Sequence, residues 1–207
     1  VYTYPMTGVP QGDSPGLLNS SYTITADSEV PEGGAEGMIL TSGGRFAGYG
    51  FYLLEGKPVF LWNLLNLKRI KWEGPEALPP GRHTVEFDFK YDGLGAGTLA
   101  YNNMSGLGQS GTGTLKVNGK VVDTKQMTRT LPIILQWDEQ FDVGSDTLTG
   151  VNDADYKPPF PLTAKLHQLT IKVDRPKLSE EEAKKLENKQ AIAVDGNPIH
   201  HVQGGPH

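Results

Sequence analysis

The sequence predicts an all-β protein built as an antiparallel β-sandwich. Three observations carry that expectation. Several short runs alternate apolar and polar residues with period two, so that one strand face is buried and the other wet. Two-residue turn signals separate some of these runs. The chain also holds 26 glycines and 15 prolines in 207 residues with a hydrophobic share of 37%, a balance that suits many turns around a modest core.

The elements follow in order. Residues 1–17 are rich in Pro, Gly and small polar residues and read as a linker, or an arm lying on something larger. Tyr22, Ile24, Ala26, Ser28 and Val30 alternate with Thr23, Thr25, Asp27 and Glu29, a half-buried strand that Pro31-Glu32-Gly33-Gly34 ends. Short strands are expected at 37–41, 49–54 and 58–64, the last two joined through Glu55-Gly56. After the Pro79-Pro80-Gly81 turn, Val85, Phe87, Phe89 and Tyr91 alternate with Thr84, Glu86, Asp88 and Lys90. Asn118-Gly119, between Leu115/Val117 and Val121/Val122, tolerates the positive φ of a type I′ hairpin. Near the end Ala164 and Leu166 share one parity and Leu169, Ile171 and Val173 the other, which calls for a bulge near His167-Gln168. One short helix is expected over 179–193, where Ser179 and Glu182 form a capping box and Glu180/Lys184 and Glu181/Lys185 are i,i+4 pairs. With no crossover helices between strands, stacked antiparallel sheets of the jelly-roll, concanavalin A-like kind are the natural arrangement. The domain spans 18–175, and 176–207 forms the helix and a tail.

Composition narrows function. Nineteen basic and 24 acidic residues give a net charge of −5, and no basic cluster exceeds Lys68-Arg69 with Lys71, so no nucleic-acid partner is expected. Cysteine is absent, which removes disulfides, thiolate nucleophiles and Cys-ligated metals. No apolar run approaches the ~20 residues that span a bilayer, and no membrane partner is expected. The chain begins at Val1, as expected of a segment from inside a longer polypeptide.

Catalytic motifs are sparse. Gly106-Leu107-Gly108-Gln109-Ser110-Gly111 matches G-x-G-x-x-G, but a strand is expected to follow it instead of the helix N-terminus that would receive a pyrophosphate. The five histidines form no H-E-x-x-H pair, and no G-x-S-x-G elbow occurs. No catalytic or cofactor-binding residue is assigned. Asp138, Asp142, Asp146, Asp153 and Asp155 with Glu139 are weak calcium candidates; the alternative is turn capping through Asx hydrogen bonds. Residues 93–113 hold seven glycines with Tyr101, Asn102, Asn103 and Met104, a long irregular loop that could make contacts. Trp62, Trp72, Trp137, Tyr49 and Tyr52 either present flat faces to sugars or fill the core, the commoner fate at strand positions. Asn19-Ser20-Ser21 and Asn103-Met104-Ser105 match the glycosylation pattern.

A succession of segments resembles a known family. S-Y-T-I-T-A-D-S-E-V-P-E-G-G-A-E-G-M-I (21–39), G-G-R-F-A-G-Y (43–49), G-K-P-V-F (56–60), L-P-P-G-R-H-T-V-E-F-D-F-K-Y-D-G (78–93), G-T-G-T-L-K-V-N-G-K (111–120), R-T-L-P (129–132), D-E-Q-F-D-V-G-S-D-T (138–147) and Y-K-P-P-F (156–160) together resemble the C-terminal region of large bacterial arylsulfatases. The likeness covers roughly 18–174, with Leu99–Ser105 looking inserted. It implies a parent that hydrolyses sulfate esters with formylglycine and a divalent cation, in a periplasmic or other extracytoplasmic bacterial setting. The C/S-x-P-S-R motif that yields formylglycine is absent here, so the resemblance transfers no catalytic residue and no cofactor to this segment. It implies an accessory domain that braces a catalytic sulfatase domain of the same chain and shapes substrate access. The arm 1–17, the loop 93–113 and the acidic loop 138–155 are the docking candidates, with Tyr101, Asn102, Asn103, Trp62 and Trp137 as possible substrate or interdomain contacts. The alternative is a lectin-like carbohydrate-binding module directed at sulfated glycans.

Overall fold

The structure, a computed structural model, describes residues 1–93, 109–130 and 139–174, together with Ser179, Glu180, Glu181, Lys184 and Asn188. Eleven strands follow in chain order: β1 (Met6–Val9), β2 (Ser21–Val30), β3 (Gly37–Gly44), β4 (Ala47–Leu54), β5 (Lys57–Leu64), β6 (Lys68–Glu73), β7 (Gly81–Tyr91), β8 (Gly111–Val117), β9 (Lys120–Met127), β10 (Phe141–Val143) and β11 (Lys165–Asp174). They form a six-stranded sheet in the order β1-β10-β3-β4-β5-β6 and a five-stranded sheet in the order β11-β2-β7-β8-β9. Every pairing is antiparallel. The expected all-β sandwich is what forms.

Local chemistry explains much of the register. Glu55-Gly56 and Asn118-Gly119 both take left-handed φ, at 50° and 78° and at 51° and 78°, as two-residue I′ hairpins require. In β11, Leu166 faces Ser28 and Gln168 faces Asp27, leaving His167 as the extra residue of a bulge. That bulge turns Leu169, Ile171 and Val173 towards the core despite the change of parity. A second bulge, between Met38 and Leu40 of β3, lets both Ile39 and Leu40 point inward.

The inner faces meet in a ring-rich core. Phe60 of β5 stacks on Phe87 of β7 at 3.6 Å between centroids and 9° between planes, and Trp72 of β6 meets Phe87 edge-on at 5.0 Å. Trp72 Nε1 donates to the Gly113 carbonyl at 2.9 Å. A Cβ at Gly113 would lie 2.6 Å from Trp72 Cζ2, so the indole sits where only glycine leaves room. β6 and β9 close one side of the sandwich, with Lys125 Nζ donating to Lys71 O at 2.6 Å and Glu73 N donating to Asp123 Oδ2 at 3.0 Å. These bonds satisfy groups on β6, an edge strand.

Three expectations change. Residues 1–17 include β1, which pairs with β10, and Tyr2 bridges to Leu169 through two 2.8 Å backbone bonds. The segment therefore lies on this domain itself: edge backbone and its few apolar side chains find partners here that composition could not reveal. β6 forms at Lys68–Glu73, where the sequence suggested only a small basic cluster, because Ile70 and Trp72 alternate with its charges. The acidic loop also contributes a strand, β10. Of the expected C-terminal helix, Glu180, Glu181, Lys184 and Asn188 are helical and exposed; the rest of it lies outside the described residues.

Candidate functional site

The outer face of the six-stranded sheet is apolar around Met38, Tyr52, Val59 and Leu61, and the segment after β10 crosses it as a strap. Val151 and Tyr156 bury against those residues, with Phe160 beside them. Gly50 makes the crossing possible, since a Cβ there would stand 2.9 Å from Val151 Cγ2. Phe160 stacks on Tyr156 at 4.6 Å, and Met38 N donates to Phe160 O at 3.1 Å. The acidic residues hold this strap in place. Asp142 accepts from Gly8 N at 2.8 Å, from Thr147 Oγ1 at 2.6 Å and from Thr147 N at 3.2 Å, tying β1 to the loop. Asp146, 2% exposed, accepts from the Tyr156 hydroxyl. Asp155 accepts from Tyr52 Oη at 2.5 Å and pairs with Lys71 at 3.0 Å. Asp153 pairs with Arg45 at 2.6 Å.

This arrangement gives each described aspartate of the loop its own protein partner. The aspartates are parcelled out to separate protein donors, and among the described residues no group of three or more His, Cys, Asp or Glu side chains converges as a metal site. Asp142, Asp146, Asp153 and Asp155 thus act as tethers; Asp138 lies outside the described residues. Burial pushes the Asp146 carboxyl up to about 6, against the opposing pull of the Tyr156 hydrogen bond. Burial, and then the neighbouring carboxylate, likewise raises Tyr156 and Tyr52. The Arg45 hydrogen bond holds Asp153 below the usual carboxylate range.

The aromatic candidates turn inward. Trp62 is 4% exposed, and its Nε1 donates to Tyr22 Oη at 3.0 Å across the core. Trp72, Tyr49 and Tyr52 are also buried. None of these four offers a face to a sugar, because each stands at a strand position facing the opposite sheet or the strap. Trp137, Tyr101, Asn102 and Asn103 lie outside the described residues. Asn19 is buried, its Oδ1 accepting from Thr130 Oγ1 at 3.2 Å and Tyr91 Oη at 3.3 Å, so the folded chain does not present this glycosylation acceptor. At the glycine motif, β8 begins at Gly111 and Gln109 N donates to Tyr91 Oη at 3.2 Å; a strand follows, as expected.

A cleft of about 540 Å³ opens at one end of the five-stranded sheet. Glu29 and Val30 end β2 there, Pro31-Glu32 begin the next turn, Pro80 precedes Gly81 at the start of β7, and Thr163 precedes Lys165, the first residue of β11. Glu29 accepts from His167 Nε2 at 3.1 Å, and Thr163 is tied to Glu36 through Oγ1, which accepts from Glu36 N at 2.8 Å. Nearby, Arg82 clamps Asp27 with bonds of 2.8 and 2.5 Å and so lowers that carboxyl. Among the described residues the Glu32 carboxylate and the Lys165 ammonium make no bond to protein, which leaves them for a ligand. The cleft is shallow and open, and its lining offers donors and acceptors with no aromatic platform. The sequence showed these residues only as two Pro/Gly turns and a strand end; their convergence is tertiary.

No family model and no curated protein matches the chain. Among solved structures it is similar to the CBM40 domain of the Ruminococcus gnavus IT-sialidase bound to alpha2,6 sialyllactose, with a TM-score of 0.50 and 15% identity over 90% of this chain and 95% of that one. It is also similar to domains LG4-5 of the mouse laminin alpha1 chain, with a TM-score of 0.52 and 15% identity over 83% of this chain and 41% of that one. The chain is a jelly-roll β-sandwich.

Proposed function

We propose that this chain is a non-catalytic, lectin-like module that binds carbohydrate. The observation that carries the reading is the end-to-end likeness in fold to a CBM40 domain solved with sialyllactose. The cleft between the end of β2, the start of β7 and the approach to β11 is the binding site we assign. Sugar hydroxyls would exchange bonds with Glu32, Lys165 and exposed turn backbone. Two carboxylates, Glu29 and Glu32, face one ammonium, Lys165, so the cleft favours neutral sugars and repels sulfated or sialylated ones. A glycan array of the purified chain tests this. Binding of neutral glycans, weakened about tenfold or more by Glu32→Gln and Lys165→Met with folding intact, supports it. A folded chain that binds nothing would remove the module reading, and binding indifferent to both substitutions would remove the cleft.

A second reading rests on a different observation, the ordered succession of segments resembling arylsulfatase C-terminal regions over roughly 18–174. The described residues of 138–147, from Glu139 on, and 156–160 belong to β10 and the strap, and 43–49 spans the β3–β4 turn. On this reading the module is the accessory domain of a sulfatase, bracing its catalytic domain and shaping substrate access. The parent's formylglycine and divalent cation would belong to that other domain. Aryl sulfate turnover by the native-length polypeptide, and none by these 207 residues, is the expected result. Turnover by the 207 residues alone, or none by the native-length protein, would defeat it.

A further inference from the structure

Asn118-Gly119 is the single Asn-Gly pair in the sequence, and such a pair carries a reaction of its own besides its turn geometry. The Gly119 backbone nitrogen can bond to Asn118 Cγ; the Cγ–Nδ2 bond then breaks and ammonia leaves. Water opens the resulting five-membered imide to an aspartyl or an isoaspartyl residue. Water is the sole co-reactant, and nothing is oxidised or reduced. Glycine in the second place favours the attack, because it has no Cβ to crowd the nitrogen. Asparagine is accordingly one of the thermolabile residues.

The fold leaves the attacking nitrogen free and ties down the carbon it must reach. Both residues are exposed at the β8–β9 turn. Among the described residues Gly119 N makes no hydrogen bond, and nothing lies within 4 Å of where a Cβ on Gly119 would stand. The Asn118 amide, by contrast, is held at both ends. Its Oδ1 accepts from Thr84 N at 2.9 Å, and its Nδ2 donates to His83 Nδ1 at 3.0 Å. The imidazole is itself fixed. His83 is buried, and its Nε2 donates to Pro79 O at 2.8 Å. A carbonyl can only accept, so Nδ1 is the nitrogen left to receive the Asn118 N–H. Asn118 N also donates to Thr84 O at 2.8 Å, which carries the β7–β8 ladder one step past Val85 and Val117. For ring closure the amide must turn away from β7, and both side-chain bonds must break first.

We propose that Asn118 is a conformation-gated modification site, which deamidates when the β8–β9 turn opens away from β7 and is protected while His83 and Thr84 hold it. Local opening of this kind is an ordinary motion of a hairpin end. The product does not close again as before. An aspartyl carboxylate has no N–H to offer His83 Nδ1, and an isoaspartyl residue adds a methylene to the backbone of a two-residue turn. Each opening that ends in reaction is therefore recorded permanently, as chemical modification of an opened chain makes unfolding irreversible. The loss reaches beyond the turn, because β9 supplies Lys125 and Asp123 to the backbone of β6.

Incubation of the 207-residue chain at mildly alkaline pH, in buffer and in guanidinium chloride, tests it, with intact mass and peptide mapping followed over time. In denaturant, position 118 gains one mass unit and yields aspartyl and isoaspartyl peptides; in buffer the conversion is at least tenfold slower. His83→Leu, shown to be folded by circular dichroism, raises the rate in buffer at least threefold and leaves the rate in denaturant unchanged. The converted chain, once isolated, unfolds at a lower urea midpoint than its parent. Equal rates in buffer and denaturant would overturn the gate, and a rate in buffer unmoved by a folded His83→Leu would overturn the tether. Should His83→Leu not fold, hydrogen exchange of the Thr84 amide in the parent chain takes its place. Conversion that rises in step with that exchange as denaturant is added supports the gate, and conversion independent of it overturns the gate.

Discussion

Replacing Asp146 with asparagine tests the physical account of the strap most directly. The carboxyl is nearly inaccessible, and burial lifts its pKa from 3.8 to about 6. An acid whose pKa is higher in the folded state binds its proton more tightly there. Its contribution favours folding fully below the unfolded value and is lost as pH rises through the folded one. Two pKa units correspond to about 3 kcal/mol at about 1.4 kcal/mol each. The native chain should therefore lose about 2 kcal/mol relative to Asp146→Asn between pH 4 and pH 6.5, with almost no further change above pH 7. Urea unfolding of both chains at intervals from pH 3.5 to 8, followed by tryptophan fluorescence, measures that difference. Asp27 and Asp153, whose pKa values are lowered, lose their own contributions on further acidification, but equally in both proteins. A difference constant to within about 1 kcal/mol across the range would refute the assignment of Asp146 as a buried, proton-binding tether.

Gly113→Ala drives a methyl into Trp72 and Phe87, both fully buried, and should lower stability by about 1–3 kcal/mol with an altered near-ultraviolet circular dichroism spectrum. Trp62→Phe strips the Tyr22 hydroxyl of its donor in the core; urea unfolding should show a loss of about 1–3 kcal/mol, with glycan binding unchanged. Gly119→Ala places a side chain at φ 78° and should cost about 1 kcal/mol in the same assay without altering the fold. Lys165→Met should leave the urea midpoint unchanged while weakening neutral-glycan binding on an array.

Local signals in the chain determined a good deal by themselves. Alternation in 22–30 and 85–91 named the inner faces of β2 and β7, because a strand's side chains alternate by geometry alone. Asn118-Gly119 announced its hairpin, and the parity change around His167 announced the bulge, since both are set by neighbours within a few residues. Other features were decided only by tertiary structure. Trp62 and Trp72 look the same in sequence whether they meet a sugar or the opposite sheet, and the choice depends on which face that sheet covers. The aspartates between 142 and 155 look like a cation loop until Gly8, Tyr52 and Lys71 of distant strands and Arg45 of the β3–β4 turn bind them. The cleft exists only where turns far apart in the chain converge. Periodicity records which way a side chain points; it carries no record of what folding brings to meet it.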